Sequence, residues 1–388
     1  MRIRETHRPL YSRSIPCPHT ADDVCTCSPV LQDTPDSLKL FTEGDDLYQA
    51  MLADLESAQR RIQLESYIFS DDEIGRHFSA ALIRRAQAGV DVQVHIDAAG
   101  SLFLTSRHLV RDLRKHGVRL RRFHRWSWRK PLRYNRRSHR KLLVVDGKKA
   151  YVGGFNIHRE SSQTVFGINR WRDTHVRFEG LLAKQAAQLF DSFWRGDLRW
   201  VPATLPGVSS KLMTNSSRDC REQLRCLLSD MFTRAAHSIH LTTPYFVPDR
   251  RTQRQLKAAA DRGADVQLLV PRKSDVKLAR WAAQATYAGL LDGGVRIFEY
   301  LPRMLHAKTI VVDSNYATVG TANIDYRSFF LNYELNLFTR EPVLCLDLLS
   351  QFTKDREDAE EIHPVKWSRR FRAGRLLELA GWLVRRWL

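Results

Sequence analysis

"SHRKLLVVDGKKAYVGGFN", Ser138–Asn156, holds a histidine, a lysine two places on, an aspartate five further, then two glycines and an asparagine. "LHAKTIVVDSNYATVGTAN", Leu305–Asn323, repeats that spacing with His306, Lys308, Asp313, Gly320 and Asn323. The first stretch reads as a strand, an Asp-Gly turn and a returning strand. Side chains two apart on a strand share a face, so His139 and Lys141 point the same way. With Asp146-Gly147 as a two-residue turn, His139 falls opposite Gly154, where a glycine lets a ligand or backbone close on the imidazole. Asn156 sits just past the hairpin, with an amide able to donate to an oxyanion. The second copy sets His306, Lys308, Thr321 and Asn323 equivalently.

The repetition extends outward from these hairpins. "AQRRIQLESYIFSDDEIGRHFSAALIRRAQAGVDVQVHID", from Ala58, and "AAHSIHLTTPYFVPDRRTQRQLKAAADRGADVQLLVP", from Ala235, each offer a strand, a loop, a helix, a Gly turn and a strand. Each is followed by a helix closing on a Gly turn, "KHGVRLRRF" and "DGGVRIFEY", and then by the histidine stretch. Two copies of a β-α-β-α-β unit with a hairpin imply an α/β fold. We expect duplicated α/β/α lobes related by pseudo-twofold symmetry, with the site at their interface. The lobes fall at 37–205 and 206–352, joined through "VPATLPGVSS", with a polar, flexible segment at 1–36 and a tail at 353–388. The duplication already supplies paired half-sites, so it carries no signal for oligomeric state.

Sixty-two Lys+Arg against 43 Asp+Glu give the 388-residue chain a net charge of +19. The matching partner is a polyanion, either nucleic acid or an anionic membrane. The N-terminal residues lack the apolar core of a signal peptide, and no apolar run reaches spanning length. The expectation is a cytoplasmic chain that meets a membrane only at its surface. Cys17, Cys25 and Cys27 lie near His19, but their spacing matches no standard zinc site, so they read as reduced thiols and no metal is assigned.

Imidazole, ammonium and amide on one surface suit a phosphate group. Lysine and asparagine bind the non-bridging oxygens, while histidine attacks phosphorus or carries a proton. Two such sets brought together make one site with two histidines, a nucleophile and an acid for the leaving alcohol. Paired lysines supply the charge that a metal would otherwise bring, so no cofactor is called for.

This double H-x-K-x4-D-x6-G-[GT]-x-N pattern resembles the phospholipase D superfamily over about 37–352. "WRDTHVRFEG", from Trp171, and "NYELNLF", from Asn332, resemble its downstream elements. The resemblance implies His139, Lys141, Asp146, His306, Lys308 and Asp313 as catalytic residues, with His139 the nucleophile and His306 the acid and later the base. It implies Asp173 and Glu334 as orienting carboxylates, and Asn156, Asn323 and Thr321 as phosphate-binding or orienting groups. The position of Asp146 and Asp313 at turns suggests a structural role at least as much as a catalytic one.

Two stretches outside the motif bear on the substrate. "RLRRFHRWSWRKPLRYNRRSHRK", Arg119–Lys141, mixes cations with Trp126 and Trp128 and suits nucleic acid or membrane alike. In "HPVKWSRRFRAGRLLELAGWLVRRWL", Leu376, Leu379, Ala380, Leu383 and Trp387 gather on one side of a helical wheel. Arg369, Arg370 and Arg372 precede that helix, and Trp382, Arg385 and Arg386 lie within it. A basic amphipathic helix of this kind lies in a membrane plane, or else docks on its own domain.

Together these features resemble the cardiolipin synthase branch of the superfamily, of the short type without N-terminal spanning helices. That resemblance implies transphosphatidylation between two phosphatidylglycerol molecules at an anionic phospholipid membrane, on its cytoplasmic side. No nucleic acid partner is expected. A hydrolase, a transferase using another donor such as phosphatidylethanolamine, and a metal-independent nuclease are the alternatives.

Overall fold

The computed structural model describes residues 37–124, 128–129, 134–199, 201–202, 209–369, 378 and 381–383. Cys17, Cys25, Cys27, Trp126, Arg370, Arg372, Arg385, Arg386 and Trp387 lie outside the described residues, as does most of the junction between the lobes.

Seven strands form the first sheet: β1 (Lys39–Phe41), β2 (Arg61–Ser66), β3 (Asp91–Asp97), β4 (Arg119–Phe123), β5 (Leu142–Val145), β6 (Lys149–Gly153) and β7 (His175–Glu179). They lie in the order β1-β7-β6-β5-β2-β3-β4. The second sheet takes β8 (Ser210–Thr214), β9 (Ser238–Thr242), β10 (Asp265–Pro271), β11 (Arg296–Tyr300), β12 (Thr309–Val312), β13 (Tyr316–Gly320), β14 (Leu335–Thr339) and β15 (Ala359–Glu361). Its order, β15-β11-β10-β9-β12-β13-β14-β8, repeats the first sheet strand for strand and adds β15 at one edge. The sheet therefore carries on past residue 352, where the tail was expected to begin.

Local chemistry is duplicated along with topology. The helices Glu73–Gln87 and Arg250–Asp261 start at matching caps, Asp72 accepting from the Gly75 amide at 2.9 Å and Asp249 from Thr252 at 2.8 Å. Such caps satisfy amides that no helical carbonyl can reach. The hairpin strands β5, Leu142–Val145, and β12, Thr309–Val312, read as nearly unbroken apolar runs because both faces are covered. Leu143 and Val145 pack into the core of the first lobe, whereas Leu142 and Val144 join Val311, Val319 and Leu337 in a core shared by both sheets. That shared core fixes one hairpin against the other.

The hairpins differ from expectation by one residue. Val145 pairs with Lys149 and Val312 with Tyr316, so each turn holds three residues. Asp146 and Gly147 adopt positive φ of 54° and 66°, and Asp313 and Ser314 of 50° and 58°. Asp is one of the few side chains that tolerates this region. The added residue shifts the register, so His139 does not face Gly154, and it lies before the start of β5.

Candidate active site

Each histidine is set by the other lobe. His139 donates its backbone N–H to the Tyr333 carbonyl at 2.9 Å, and His306 donates to that of Arg172 at 2.7 Å. The residues before them form isolated parallel bridges, Ser138 with Tyr333 and Arg172 with Leu305. The segment entering each histidine thus pairs with the segment entering the opposite lobe's carboxylate.

The side chains cross in the same way. His139 Nδ1 lies 3.0 Å from Glu334 Oε2 and 3.0 Å from the Thr321 carbonyl. His306 Nδ1 lies 2.5 Å from Asp173 Oδ2. Facing only acceptors, the His139 Nδ1 carries a proton, and the Asp173 carboxylate assigns the same tautomer to His306. Lys308 Nζ approaches that nitrogen at 2.9 Å but also donates to the His306 carbonyl. Both rings are left with a bare Nε2 lone pair, the atom a nucleophile or proton carrier uses. Tyr67 packs edge-on against His139 at 5.0 Å and Trp171 tilts against His306 at 5.1 Å.

The carboxylates are buried yet ionised. Burial alone raises Asp173, but Lys308, His306 and the Thr174 N–H outweigh it and hold the group at about 2. Burial likewise opposes Glu334, and His139, the Thr321 hydroxyl and Lys141 bring it below the usual range. Thr321 donates to Glu334 Oε2 at 2.6 Å and Ser328 donates to Oε1 at 2.9 Å. The Thr321 hydroxyl is thus spent on the Glu334 carboxylate. Burial pushes His139 down, reinforced by Lys141, and pushes His306 down to about 3, reinforced by Lys308. Both rings are therefore neutral.

Lys141 and Lys308 are almost fully buried. Burial, helped by repulsion from Lys308, brings Lys141 down to about 7, and burial brings Lys308 down to about 8. An anion that enters restores their charge, so its binding takes up protons. Sulfate keeps a constant charge over this range. Its dissociation constant should rise by about tenfold or more from pH 6.5 to 9, as one proton linkage over such a span implies. Calorimetric titration measures it, and a constant that stays flat would show that the lysines do not hold the anion.

Asn156 and Asn323 are buried beside these groups. Asn156 Oδ1 accepts from the Ile68 N–H at 3.2 Å, whereas Asn323 Oδ1 has no partner among the described residues. Gly154 serves a purpose other than the expected one. A Cβ there would sit 1.9 Å from Asp173 Oδ1, so the glycine makes room for the carboxylate that holds His306.

Asp146 and Asp313 do not belong to the site, which corrects the catalytic role expected of them. Asp146 accepts from the backbone N–H groups of Gln59, Arg60 and Arg61 at 2.8–2.9 Å. Asp313 accepts from Ala236, His237 and Ser238, each at 2.8 Å. Each stands five residues of extended chain beyond its lysine, a reach of roughly 16 Å. Their carboxylates tie the hairpin tip to the start of the neighbouring strand.

Three supports went unread in the sequence. Asp97 accepts from the Ser138 N–H at 2.8 Å and holds the chain just before His139. Arg172 is buried against Asp355 at 2.8 Å, and Arg140 against Glu65 at 2.9 Å. The last pair has no counterpart in the second lobe, where Ala307 follows His306; the contrast of "HRK" with "HAK" was the available signal.

The tail is described only in part. Glu378 and Gly381 are buried, and a Cβ on Gly381 would lie 2.5 Å from the Ala282 amide nitrogen of the helix Lys277–Leu291. Trp382 and Leu383 are exposed at 38% and 63%, as is Trp128 at 72%, and Arg369 is exposed too. Among the described residues no helix is long and apolar enough to cross a membrane.

The family model "Cardiolipin synthase, PLD-like domain" matches residues 51–194 and 228–356. The chain is 32% identical over 362 residues to the probable cardiolipin synthase YwiE of Bacillus subtilis, covering 89% of this chain and 71% of that protein. It is 35% identical over 331 residues to the major cardiolipin synthase ClsA of the same organism, covering 82% and 68%. Among solved structures, phosphatidylserine synthase of Haemophilus influenzae matches with a TM-score of 0.72 at 15% identity, over 90% of this chain and 95% of that one. That likeness concerns the fold alone. With its duplicated motif, its crossed histidine–carboxylate pairs and these matches, the chain belongs to the cardiolipin synthase family of phospholipase D-like proteins.

Proposed function

We propose that the protein is a phosphatidyltransferase that makes cardiolipin and glycerol from two molecules of phosphatidylglycerol. The observation that carries this reading is the crossed arrangement: two H-x-K sets, each with its imidazole held by the other lobe's carboxylate, facing one another as a single anion site. The names of the relatives supply the substrate class.

His139 Nε2 attacks phosphorus, forming an N–P bond as the bond to the glycerol oxygen breaks. His306 gives that oxygen its proton, and Lys141 and Lys308 hold the non-bridging oxygens. The hydroxyl of a second phosphatidylglycerol then attacks, losing its proton to His306 as the N–P bond breaks. One phosphodiester replaces another, so no nucleotide energy is consumed. The assignment of roles rests on the hydrogen bonds. His139 shares its Nδ1 proton between Glu334 and a neutral carbonyl, whereas His306 faces Asp173 at 2.5 Å, a better support for an imidazolium. Burial and Lys308 push His306 down, and the negative charge of a bound phosphodiester offsets Lys308, so the ring takes up its proton from solvent as the substrate binds.

The protein reaches its substrate as a peripheral membrane protein on the cytoplasmic face. Support comes from the net charge of +19 and from the tail, which docks through Gly381 while Leu383 faces outward. Mixed micelles of labelled phosphatidylglycerol, without metal or nucleotide, should yield cardiolipin and glycerol resolved by mass. Phosphatidic acid as sole lipid product would make the protein a hydrolase and overturn the transfer reading.

Gly154→Ala tests the orienting contact. The added methyl must displace Asp173, and displacements of about 1 Å at a reacting group cost about 10²-fold in rate. We expect kcat to fall by that order with KM little changed. An unaltered kcat would remove Asp173 from the mechanism.

A further inference from the structure

The structure assigns the loop Ser101–Thr105 a role as a membrane-entering wedge that seats the mouth of the histidine site on an anionic bilayer. This inference rests on the phospholipid reading above. Leu102, Phe103 and Leu104 are exposed at 48%, 92% and 43%, three apolar residues in succession on a water-soluble surface. Burial of such side chains is what a soluble fold normally achieves, and a clustered exception marks a contact surface.

The loop is tethered. Ser101 Oγ donates to the Tyr67 carbonyl at 3.0 Å and accepts from the Phe69 N–H at 3.2 Å. The Leu104 carbonyl accepts from the Asp71 N–H at 2.7 Å, and Thr105 Oγ1 donates to the Phe69 carbonyl. These bonds close the base of the loop and turn its three apolar side chains outward.

The tether leads straight to the site. A Cβ on Gly100 would meet the Tyr67 carbonyl at 2.6 Å and its ring at 2.7 Å, so loop and tyrosine are in direct contact. That ring packs against His139 at 5.0 Å. Asp97 accepts from the Ala99 and Gly100 amides at 2.8 and 3.0 Å while holding the Ser138 N–H, so one carboxylate anchors both the loop and the approach to His139. The segment after β10, in the other lobe, exposes Val276 and, at the start of the helix Lys277–Leu291, Leu278 at 37% and 42%, so apolar groups follow the equivalent strand of both lobes.

The occupant follows from charge. Arg107 and Arg111 are exposed on the helix that the loop leads into, so the apolar tip is bordered by cations. Apolar residues beside basic ones suit the headgroup region of an anionic bilayer. A lipid engaged there presents its phosphodiester to the histidines without leaving the membrane.

The test compares two physical forms of the substrate, read by glycerol release. Wild type, Phe103→Asp and Phe103→Trp are assayed on vesicles of dioleoylphosphatidylglycerol and on monomeric dihexanoylphosphatidylglycerol below its micelle threshold. We expect Phe103→Asp to lose about tenfold or more on vesicles, as loss of one buried phenyl implies, and to stay within about twofold on the monomer. Phe103→Trp should keep both activities. Equal vesicle turnover by Phe103→Asp and wild type would overturn the wedge, as would equal loss on both substrates. If sedimentation finds a wild-type dimer that Phe103→Asp dissociates, the occupant is a second copy and the proposal fails. If wild type consumes neither form, the phospholipid reading falls first and the wedge with it.

Discussion

His139→Ala and His306→Ala should each lower phosphatidylglycerol turnover by roughly 10⁴-fold or more, with the double variant scarcely worse than either single one. The reason is that the two rings serve one displacement. Without His139 no N–P bond forms, and without His306 the glycerol oxygen leaves as an unprotonated alkoxide. The variants differ on a phosphodiester with a p-nitrophenolate leaving group, which departs without a proton. His306→Ala should then release a burst of nitrophenolate and hold a labelled phosphoenzyme, while His139→Ala shows neither. The opposite pattern would exchange the two roles. A labelled intermediate in neither variant, nor in wild type, would remove covalent catalysis altogether. Both rings are buried at the lobe interface, so thermal unfolding of each variant must accompany the kinetics.

The same reasoning explains what was legible in the sequence. The repeated motif, read with its flanking strands and helices, located both hairpins and the three strands of the β-α-β-α-β unit before each, because local periodicity and turn residues determine them. The turn length was misjudged. Asp146-Gly147 carries the two-residue hairpin signature, yet Lys148 completes a three-residue loop, and that slip moved Gly154 away from His139. The resemblance marked Asp173 and Glu334 as orienting acids, but not which histidine each serves. That pairing joins residues 133 and 195 positions apart and arises only when the lobes pack. The motif aspartates show the converse. They keep strict spacing because three backbone N–H groups need a carboxylate at the turn, and that spacing imitates a catalytic one. "SLFL" gave no warning of an exposed loop, since an apolar run by itself looks like core.

Arg140→Ala should destabilise the fold by about 3–5 kcal/mol, the usual cost of leaving a buried charge without its partner. Arg140 and Glu65 are both almost fully buried, with Nε and Oε2 2.9 Å apart, and the guanidinium lies over Phe193 at 4.3 Å. Burial raises Glu65 to about 7, and Arg140 is the group that opposes the shift. Removing Arg140 raises Glu65 further. A carboxyl whose folded pKa is raised loses stability as pH rises from its unfolded value to its folded one and no further. Wild type levels off near 7, whereas the variant's higher folded value prolongs the loss, so the variant's deficit should grow from pH 6 to pH 8. The pairing of β2 with β5 sets Glu65 across from Leu142, two residues past Arg140. In the second lobe β9 and β12 pair in the same way, with Thr242 and Ala307 standing where Glu65 and Arg140 stand in the first. Arg140→Ala combined with Glu65→Thr therefore copies an arrangement the chain already folds with, and it should recover at least half of the loss despite the larger cavity. Urea unfolding at the two pH values measures all of this. Single variants costing under about 1 kcal/mol, the scale of an exposed ion pair, or a double variant as poor as the sum of its parts, would show that the pair is not a buried charge couple. Because Arg140 sits between His139 and Lys141, its loss should also loosen the strand that aims both at the phosphate.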